Sequence, residues 1–216
     1  MTQAKKEGIG NSADHQLRAR LRQANAALRH ALGQVTALRD MAYRDPLTGL
    51  HNRRHFEERL AQEISRAERK PGTHFSLLIM DVNDFKGIND TLGHQAGDKA
   101  LQQVANYLHA SLRSHDICCR TGGDEFMVIL PEASAAHCDA IAARLRQGIA
   151  SIQLRGVKSI SLSVGSVTWP QGGASAAALI AAADAAMYED KRRQKSARRP
   201  ARAHATRASV VLAAAS

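Results

Sequence analysis

The sequence predicts an α/β or α+β domain with a central mixed β-sheet flanked by helices, preceded by a long helix. Three observations carry this prediction. Apolar runs with strand character alternate with stretches of helical periodicity, as is typical of these classes. A Gly122-Gly123 pair between two strand-like runs indicates a hairpin, because glycine adopts positive φ without a Cβ penalty. A seven-residue apolar repeat lies ahead of all this and predicts the long helix.

The N-terminal part of the chain divides into two segments. Residues 1–12 are polar and lack periodicity, so we expect them to be disordered. Residues 13–43 form a predicted helix, and its heptad pattern indicates a dimerising coiled coil. The alternative is a single amphipathic helix folded onto its own domain. The repeat places Leu17, Ala24, Ala31 and Leu38 at one heptad position and Leu21, Leu28, Val35 and Ala42 at the other.

Helix-breaking and helix-capping residues predict where the next elements begin and end. Proline after Asp45 ends the long helix, because the residue before proline is pushed out of the α region. Asn52 or His51 then caps a helix that runs to about Lys70. The remaining predictions are a buried strand over 75–82, a helical turn over 84–90, a helix over 94–113, strands around the Gly-Gly turn, a helix over 134–151, a strand over 159–169 and a last helix from Ser175 to about 193.

Composition limits the class of protein. Apolar residues make up 44% of 216, and no apolar run approaches the roughly 20 residues that a membrane helix requires. Three cysteines without a disulfide or metal spacing fit a reducing cytoplasm. Much of the net charge of +10 lies near the C-terminus, where 196–216 reads as a basic, disordered tail. A tail that binds nucleic acid or anionic lipid is the alternative, but no aromatic residues are interleaved for base stacking.

Acidic residues follow two strand-like runs. Asp124 and Glu125 lie at the Gly-Gly turn, and Asp81 lies at the end of the run 75–82. Solvated turn acids are the ordinary explanation for any one of them. Carboxylates at two strand ends, together with Lys86, instead indicate a divalent-cation site that handles a nucleoside triphosphate.

These residues belong to five motifs that occur in one order. The motifs are residues 45–54, 81–90, 93–98 and 122–126, and 182–188 followed by Lys191. In these motifs the chain resembles the GGDEF-domain diguanylate cyclases, and the resemblance implies the palm-like sheet of nucleotidyl cyclases and a catalytic domain over 44–195.

The resemblance implies that two GTP molecules condense into cyclic di-GMP and two pyrophosphates, in a homodimer with one GTP held by each subunit. Mg²⁺ or Mn²⁺ is the implied cofactor, which would neutralise the triphosphate and acidify the attacking hydroxyl. Its ligands would be Asp81, the main-chain carbonyl of Val82, Asp124 and Glu125. Glu125 binds a second metal or accepts the proton, and the choice between Asp124 and Glu125 as acceptor stays open.

The resemblance also implies how GTP is held. The amides of Asp84, Phe85 and Lys86 would bind phosphate at the start of a helical turn, with Lys86, Lys191 and Lys195 as point charges. Where the family usually has arginine, this chain has Lys195, which loses bidentate contact. Gly122 and Gly123 let the backbone approach the nucleotide. Asn89 and Asp98 match the pair that reads guanine, and His94 lines the same pocket or merely caps a helix.

Arg113 and Asp116 match the family's inhibitory site for cyclic di-GMP, which predicts product feedback. The alternative is a helix-end arginine and an ordinary turn acid. The chain has Asn83 where the family often has aspartate, and we expect this side chain to point away from the metal. The rival to an active cyclase is a catalytically silent module that binds cyclic di-GMP or scaffolds partners. Intact Lys86, Asp98 and 122–126 count against that rival.

Overall fold

The computed structural model describes the backbone of residues 4–154, 156, 157 and 159–213, and the side chains of residues 16–154, 156, 157 and 159–197. The chain divides into two compact units, Met1–Ala42 and Tyr43–Ser216. The disorder expected of 1–12 and of 196–216 concerns segments whose side chains lie wholly or largely outside the described residues, so it stays a prediction.

The first unit is the long helix α1, Ala4–Tyr43, which contains the predicted segment 13–43. Its large apolar side chains, from Leu17 to Met41, are between 57% and 73% exposed in the single chain. A helix of this kind carries an uncovered apolar stripe. Pairing of two such helices remains a prediction.

The second unit is built on a four-stranded sheet in the order β2-β3-β1-β4. All three strand pairs are antiparallel, and one parallel bridge between His51 and Cys119 extends the β2 edge. The β1–β3 register places Asp81 opposite Glu125, which brings the end of β1 to the hairpin. The strands are β1 Phe75–Val82, β2 Ile117–Arg120, β3 Glu125–Pro131 and β4 Leu162–Thr168.

Helices cover both faces of the sheet. The bounds are α2 Arg53–Arg69, α3 Phe85–Leu92, α4 His94–Ser111, α5 Ala135–Ile149 and α6 Ala176–Ala213. Side chains of β1 alternate between two apolar cores. Leu77 packs in the core that contains α2 and α6 residues, whereas Leu78 packs in the core that contains α4 and α5 residues. The domain is therefore a layered α/β structure with its sheet buried on both sides.

Burial on both faces explains why the observed β4 differs from the strand expected over 159–169. Apolar residues alternate with Ser161 and Ser163 in this part of the sequence, yet Leu162, Ser163, Val164 and Gly165 are all buried in a shorter β4. Cys118 and Cys119 of β2 are likewise both buried, one in each core. A sheet covered by helices on both faces has no solvent-exposed face, so residues on both sides of each strand are buried.

The predicted helix starts agree with the structure. Asn52 caps α2, because its side chain accepts a hydrogen bond from the His55 amide at 3.1 Å, so His51 is not the cap. The Ser175 hydroxyl accepts from the Ala178 amide at 3.2 Å and caps α6. The backbone of α6 continues to Ala213, past the end expected near residue 193. No described helix is long and apolar enough to cross a membrane.

Candidate active site

The acidic residues of the two strand ends meet where β1 and the β2–β3 hairpin pair. The amide of Val82 donates to the carbonyl oxygen of Asp124 at 3.1 Å, which fixes the hairpin tip against the last residue of β1. Asp81 lies opposite Glu125 across the strand pair. A Cβ on Gly122 would lie 2.8 Å from Glu125 Oε2, so the glycine makes room for that carboxylate. The sequence therefore predicted correctly that these acids come together.

The cluster carries excess negative charge that one lysine partly offsets. Lys191 Nζ on α6 lies 2.6 Å from Asp81 Oδ1, and this carboxylate is largely buried. Burial raises the pKa of Asp124, and the negative charge of Asp81 raises it further. Lys191 and Arg120 lower the pKa of Asp124 but do not compensate fully.

This arrangement fits a divalent cation. Among the described residues, no three His, Cys, Asp or Glu side chains are grouped closely enough to hold a metal ion. Two carboxylates and a peptide oxygen are nonetheless hard donors of the type that Mg²⁺ prefers, and Mg²⁺ usually takes its remaining ligands from substrate phosphates and water. A cation would also relieve the repulsion that raises the pKa of Asp124. The donors that fit such a cation are Asp81, Asp124 and the Val82 carbonyl, and these three stay predicted ligands, as does Glu125.

The start of α3 follows the acidic cluster directly. Asp84 precedes the helix in the left-handed region at φ 58, and its side chain makes no capping bond. The side chain folds over Gly87 instead, where a Cβ would lie 2.5 Å from Asp84 Oδ1. Lys86 is exposed in the first turn. The amides at the start of α3 are therefore placed just beyond β1, as the predicted phosphate site requires.

A second corner of the site lies between α3 and α4. Asn89 Oδ1 is buried and has no hydrogen-bond partner among the described residues. Gly97 of α4 lies against it, because a Cβ there would overlap Asn89 Oδ1 and come within 3.2 Å of the Phe85 ring. Asp98 is the next residue and is exposed, as is His94 one turn earlier. The two predicted base-reading residues thus lie at one helix–helix contact, with an acceptor that lacks a donor.

The comparison with known proteins decides the family. Residues 42–197 match the family described as "Diguanylate cyclase, GGDEF domain". The chain belongs to the GGDEF domain family.

Several relatives and one solved structure illustrate the match. The diguanylate cyclase DgcP of Pseudomonas aeruginosa is 41% identical over 157 residues, which cover 71% of this chain and 23% of the relative. The diguanylate cyclase TpbB of Pseudomonas aeruginosa is 40% identical over 191 residues, covering 84% of this chain and 40% of the relative. The chain thus spans less than half the length of these relatives.

The crystal structure of the coiled coil and GGDEF domain of DgcB from Caulobacter crescentus, in complex with c-di-GMP, is similar with a TM-score of 0.71. That structure is 30% identical, and the alignment covers 82% of this chain and 94% of the other. The likeness confirms the predicted fold, a helix-flanked sheet preceded by a long helix.

Sequence reasoning missed the residues that hold the hairpin of this GGDEF domain in place. Arg120 binds both carboxylate oxygens of Asp45, at 2.9 and 3.1 Å, and its Nη2 donates to the Gly123 carbonyl at 2.8 Å. Asp45 also accepts from the amide and hydroxyl of Thr48. Burial alone would raise the pKa of Asp45, but the hydrogen bonds of Thr48 and Arg120 outweigh it and lower that pKa. The Asp-x-x-Thr spacing, a typical side-chain-capped turn, was the available signal.

Arg113 and Asp116 lie apart from the acidic cluster of the GGDEF domain, at the opposite end of β2 from the hairpin. The Asp116 carboxylate is only 4% exposed and accepts from the Arg113 amide at 2.8 Å. Arg113 itself is exposed. Asp116 therefore shapes the turn, while the guanidinium of Arg113 is the group presented to solvent.

The two departures from the family pattern have different surroundings. The Asn83 side-chain amide bonds Ser161, Ser163 and Gln194, and that it points away from the metal stays a prediction. Lys195 is exposed on α6 and, among the described residues, makes no ion pair with the acidic cluster, unlike Lys191. Its role at the phosphates stays a prediction.

Proposed function

We propose that this chain is an active diguanylate cyclase, which condenses two GTP into cyclic di-GMP and two pyrophosphates. The observation that carries the proposal is the meeting of Asp81 and Asp124 beside Lys191, directly ahead of the α3 amides. Acids, a lysine and a helix start in this order match what a metal-bound triphosphate requires. A silent module would have no use for this combination.

Each group has a defined task in this proposal. Asp81, Asp124 and the Val82 carbonyl would hold Mg²⁺ or Mn²⁺, which when bound would neutralise the triphosphate and acidify the attacking 3′-hydroxyl. Lys86 and Lys191 bind the outer phosphates as point charges. Glu125 stands beside Gly122 at the hairpin, where it is available as a further metal ligand or as the acceptor of the hydroxyl proton.

The base is selected at the corner between α3 and α4. The unpartnered Asn89 oxygen accepts a hydrogen bond from guanine, and Asp98 accepts from the N1–H and the exocyclic amine. Adenine offers the wrong pattern at this edge, and it would leave a carboxylate unpaired. GTP is therefore the proposed substrate rather than ATP.

Two subunits are required, because each domain holds one GTP and the attack is on the nucleotide of the partner. The exposed apolar stripe of α1 is the proposed means of pairing. Use of GTP as substrate also places the domain in the cytoplasm.

Cyclic di-GMP is the proposed feedback inhibitor, bound through Arg113. An exposed guanidinium beside a turn fixed by Asp116 is suited to the guanine Hoogsteen edge. In Arg113→Ala we expect the cyclic di-GMP concentration for half-inhibition to rise about tenfold or more, since a bidentate contact with guanine is lost. The uninhibited rate should not change. An unaltered inhibition curve, with Arg69→Ala as the matched surface variant, would refute this assignment.

The direct test of activity is incubation of the purified chain with GTP and Mg²⁺, with chromatography of the products. Wild type should yield cyclic di-GMP and pyrophosphate, EDTA should stop the reaction, and Asp124→Ala should be inactive. Glu68→Gln, a change to an exposed acid of α2, serves as control. Absence of product from a folded, dimeric wild-type protein would end the cyclase proposal in favour of a silent binding module.

A further inference from the structure

One face of α6 is tied to the sheet by a side-chain network that the proposed mechanism does not use. Lys191 and Gln194 are three residues apart and therefore share a face of the helix. Gln194 Nε2 donates to the Leu162 carbonyl and to Asp190 Oδ2, both at 3.0 Å. Gln194 Oε1 accepts from Asn83 Nδ2 at 2.9 Å. Both ends of the Gln194 amide are thus engaged one turn from the lysine that binds Asp81.

Asn83 completes the network from the side of β1. Its Nδ2 also donates to the Ser161 hydroxyl at 3.1 Å, and its Oδ1 accepts from the Ser163 hydroxyl at 2.7 Å. The backbone amide of Asn83 donates to the Ser161 carbonyl oxygen at 2.9 Å. An uncharged side-chain amide offers two donor hydrogens and an acceptor, whereas an ionised aspartate only accepts, so the asparagine at position 83 matches its partners.

The neighbouring acid of α6 binds the free edge of β4. Asp190 Oδ2 accepts from the Val164 amide at 2.9 Å and from Arg146 Nε at 3.2 Å. Arg146 Nη2 in turn donates to the Val164 carbonyl at 2.7 Å. An edge strand with unpaired backbone groups needs such cover, and here α6 supplies part of it. Residues 190–194 are therefore held to β4 on one side and to the end of β1 on the other.

We propose that Asn83 and Gln194 are positioning residues, which hold this turn of α6 so that Lys191 stays at Asp81 and within reach of the triphosphate. The inference rests on the proposed function, because it assumes that Lys191 binds phosphate. Lysine is a point charge on a flexible stem, so the helix that carries it must be fixed if the ammonium is to be placed. The Asn83–Gln194 hydrogen bond joins that helix directly to the strand that carries Asp81.

Nucleotide binding tests this without turnover. The probes are 3′-deoxy-GTP, which lacks the attacking hydroxyl, and GMP, which lacks the outer phosphates, each titrated calorimetrically with Mg²⁺. In Lys191→Ala the affinity for 3′-deoxy-GTP should fall about tenfold, as is typical for loss of a charged hydrogen-bond donor. Gln194→Met, which keeps the length of the side chain, should weaken the same ligand about threefold to tenfold. GMP should bind as in wild type.

Combined variants separate positioning from general destabilisation. Gln194→Met should cost little further affinity in a Lys191→Ala background, because the Asn83–Gln194 contact acts through the lysine. Asn83→Ala should reproduce the loss seen in Gln194→Met and add little to it. Arg192→Ala, on the exposed side of the same turn, is the matched control and should bind both ligands normally.

The outcomes are distinct from those of the activity test. Equal weakening of GMP and 3′-deoxy-GTP, or no weakening of 3′-deoxy-GTP, would overturn the positioning role. Full additivity with Lys191→Ala would do the same. A wild type that binds 3′-deoxy-GTP yet forms no cyclic di-GMP from GTP would refute the cyclase proposal. The binding comparison would still test whether Asn83 and Gln194 position Lys191.

Discussion

At the scale of single residues, the fold raises the pKa of Asp124, whereas the proposed metal binding needs this carboxyl group in its ionised form. Its raised pKa means that the ionised form costs folding free energy at neutral pH, since a carboxylate with a raised pKa is stabilised only when protonated. We expect Asp124→Asn to unfold at the same temperature as wild type or slightly above. Turnover should fall by about a hundredfold or more, because the metal loses a charged ligand. Thermal unfolding and product assays check both; a clear loss of stability would show that Asp124 is a structural residue.

The same raised pKa predicts how metal dependence changes with pH. Protons compete with Mg²⁺ for Asp124, and they do so at a higher pH than for an ordinary carboxylate. The Mg²⁺ concentration for half-maximal activity should therefore rise as the pH is lowered from neutral toward that pKa. Saturating Mg²⁺ should restore the rate at mildly acidic pH. A half-maximal concentration that does not change with pH would contradict the assignment of Asp124 as a ligand.

Asp45 shows the opposite sign. Its pKa is lowered, so the stability that it contributes is present above the unfolded pKa of about 3.9 and is lost as pH falls through the folded pKa. Asp45→Asn should lose about 1–3 kcal/mol at pH 7, the usual range for hydrogen bonds to a charged group. The difference from wild type should shrink as pH falls below about 4. Urea unfolding across this range is the measurement, with Glu57→Gln on the surface of α2 as control.

Residue patterns predicted the acids of the site but not their supports. Asp81 and Asp124 were recognisable because each lies at the end of a strand-like run, and β1 pairs with the β3 strand of the hairpin. The bonds from Arg120 to Asp45 and from Gln194 to Asn83 join positions 75 and 111 residues apart. No local period or spacing records such a contact, so only the fold reveals it.

At the scale of elements, the contact between α3 and α4 depends on a residue without a side chain. A Cβ at Gly97 would overlap Asn89 Oδ1, and the Phe85 ring stands on the other side of the space. Gly97→Ala should therefore displace the Asn89 amide and raise KM for GTP about tenfold, in line with loss of a hydrogen bond in a specific pocket. Steady-state kinetics with GTP measure the change. Gly33→Ala, where nothing lies within 4 Å, should leave KM unaltered.

The contact between α6 and β4 also depends on a glycine, and there the neighbouring atoms belong to the backbone. A Cβ at Gly165 would overlap the Ala183 carbonyl and lie within van der Waals radii of the Met187 backbone, neither of which can rotate away. We expect Gly165→Ala to lower the free energy of unfolding by about 1–3 kcal/mol, the usual cost of overpacking. Gly148→Ala meets only the Tyr107 side chain, at its hydroxyl and the adjoining ring carbons Cζ and Cε2, and because this side chain can move the change should cost less. Equal unfolding midpoints in denaturant for the two variants would contradict this account of the α6 contact.

The sequence predicted which segments are helices or strands better than it predicted where each of them ends. The strand over 75–82 agreed with the structure because it is a continuous apolar run bounded by a Pro-Gly break and an acid. The strand over 159–169 was too long, and its apparent alternation was misleading. Its small residues face other parts of the domain instead of solvent: Ser163 is buried and donates to Asn83, and Gly165 lies against the α6 backbone. Small residues at such contacts look polar or neutral in sequence, although packing requires them.

At the scale of the whole molecule, the proposed reaction on two nucleotides makes association part of the proposed function. The acids and lysines of one domain would serve one triphosphate, so the proposed catalysis requires a second copy. The heptad stripe of α1 is the feature that the sequence offers for this purpose. Alanine at three stripe positions removes buried apolar area relative to leucine, so the pairing should be weak and concentration-dependent.

Disruption of the stripe should therefore separate folding from activity. In Leu28→Lys a charge replaces a leucine that is exposed in the single chain, so the fold should survive while helix pairing is lost. The mass in solution should move from dimer to monomer at micromolar concentration, with far-ultraviolet circular dichroism unchanged. The specific rate should fall and should increase with protein concentration. Gln23→Lys introduces the same charge on the outer face of the helix and should remain dimeric and active. If Leu28→Lys stays dimeric, or is monomeric with an undiminished rate, then α1 is not the element through which two GTP-bound domains are brought together.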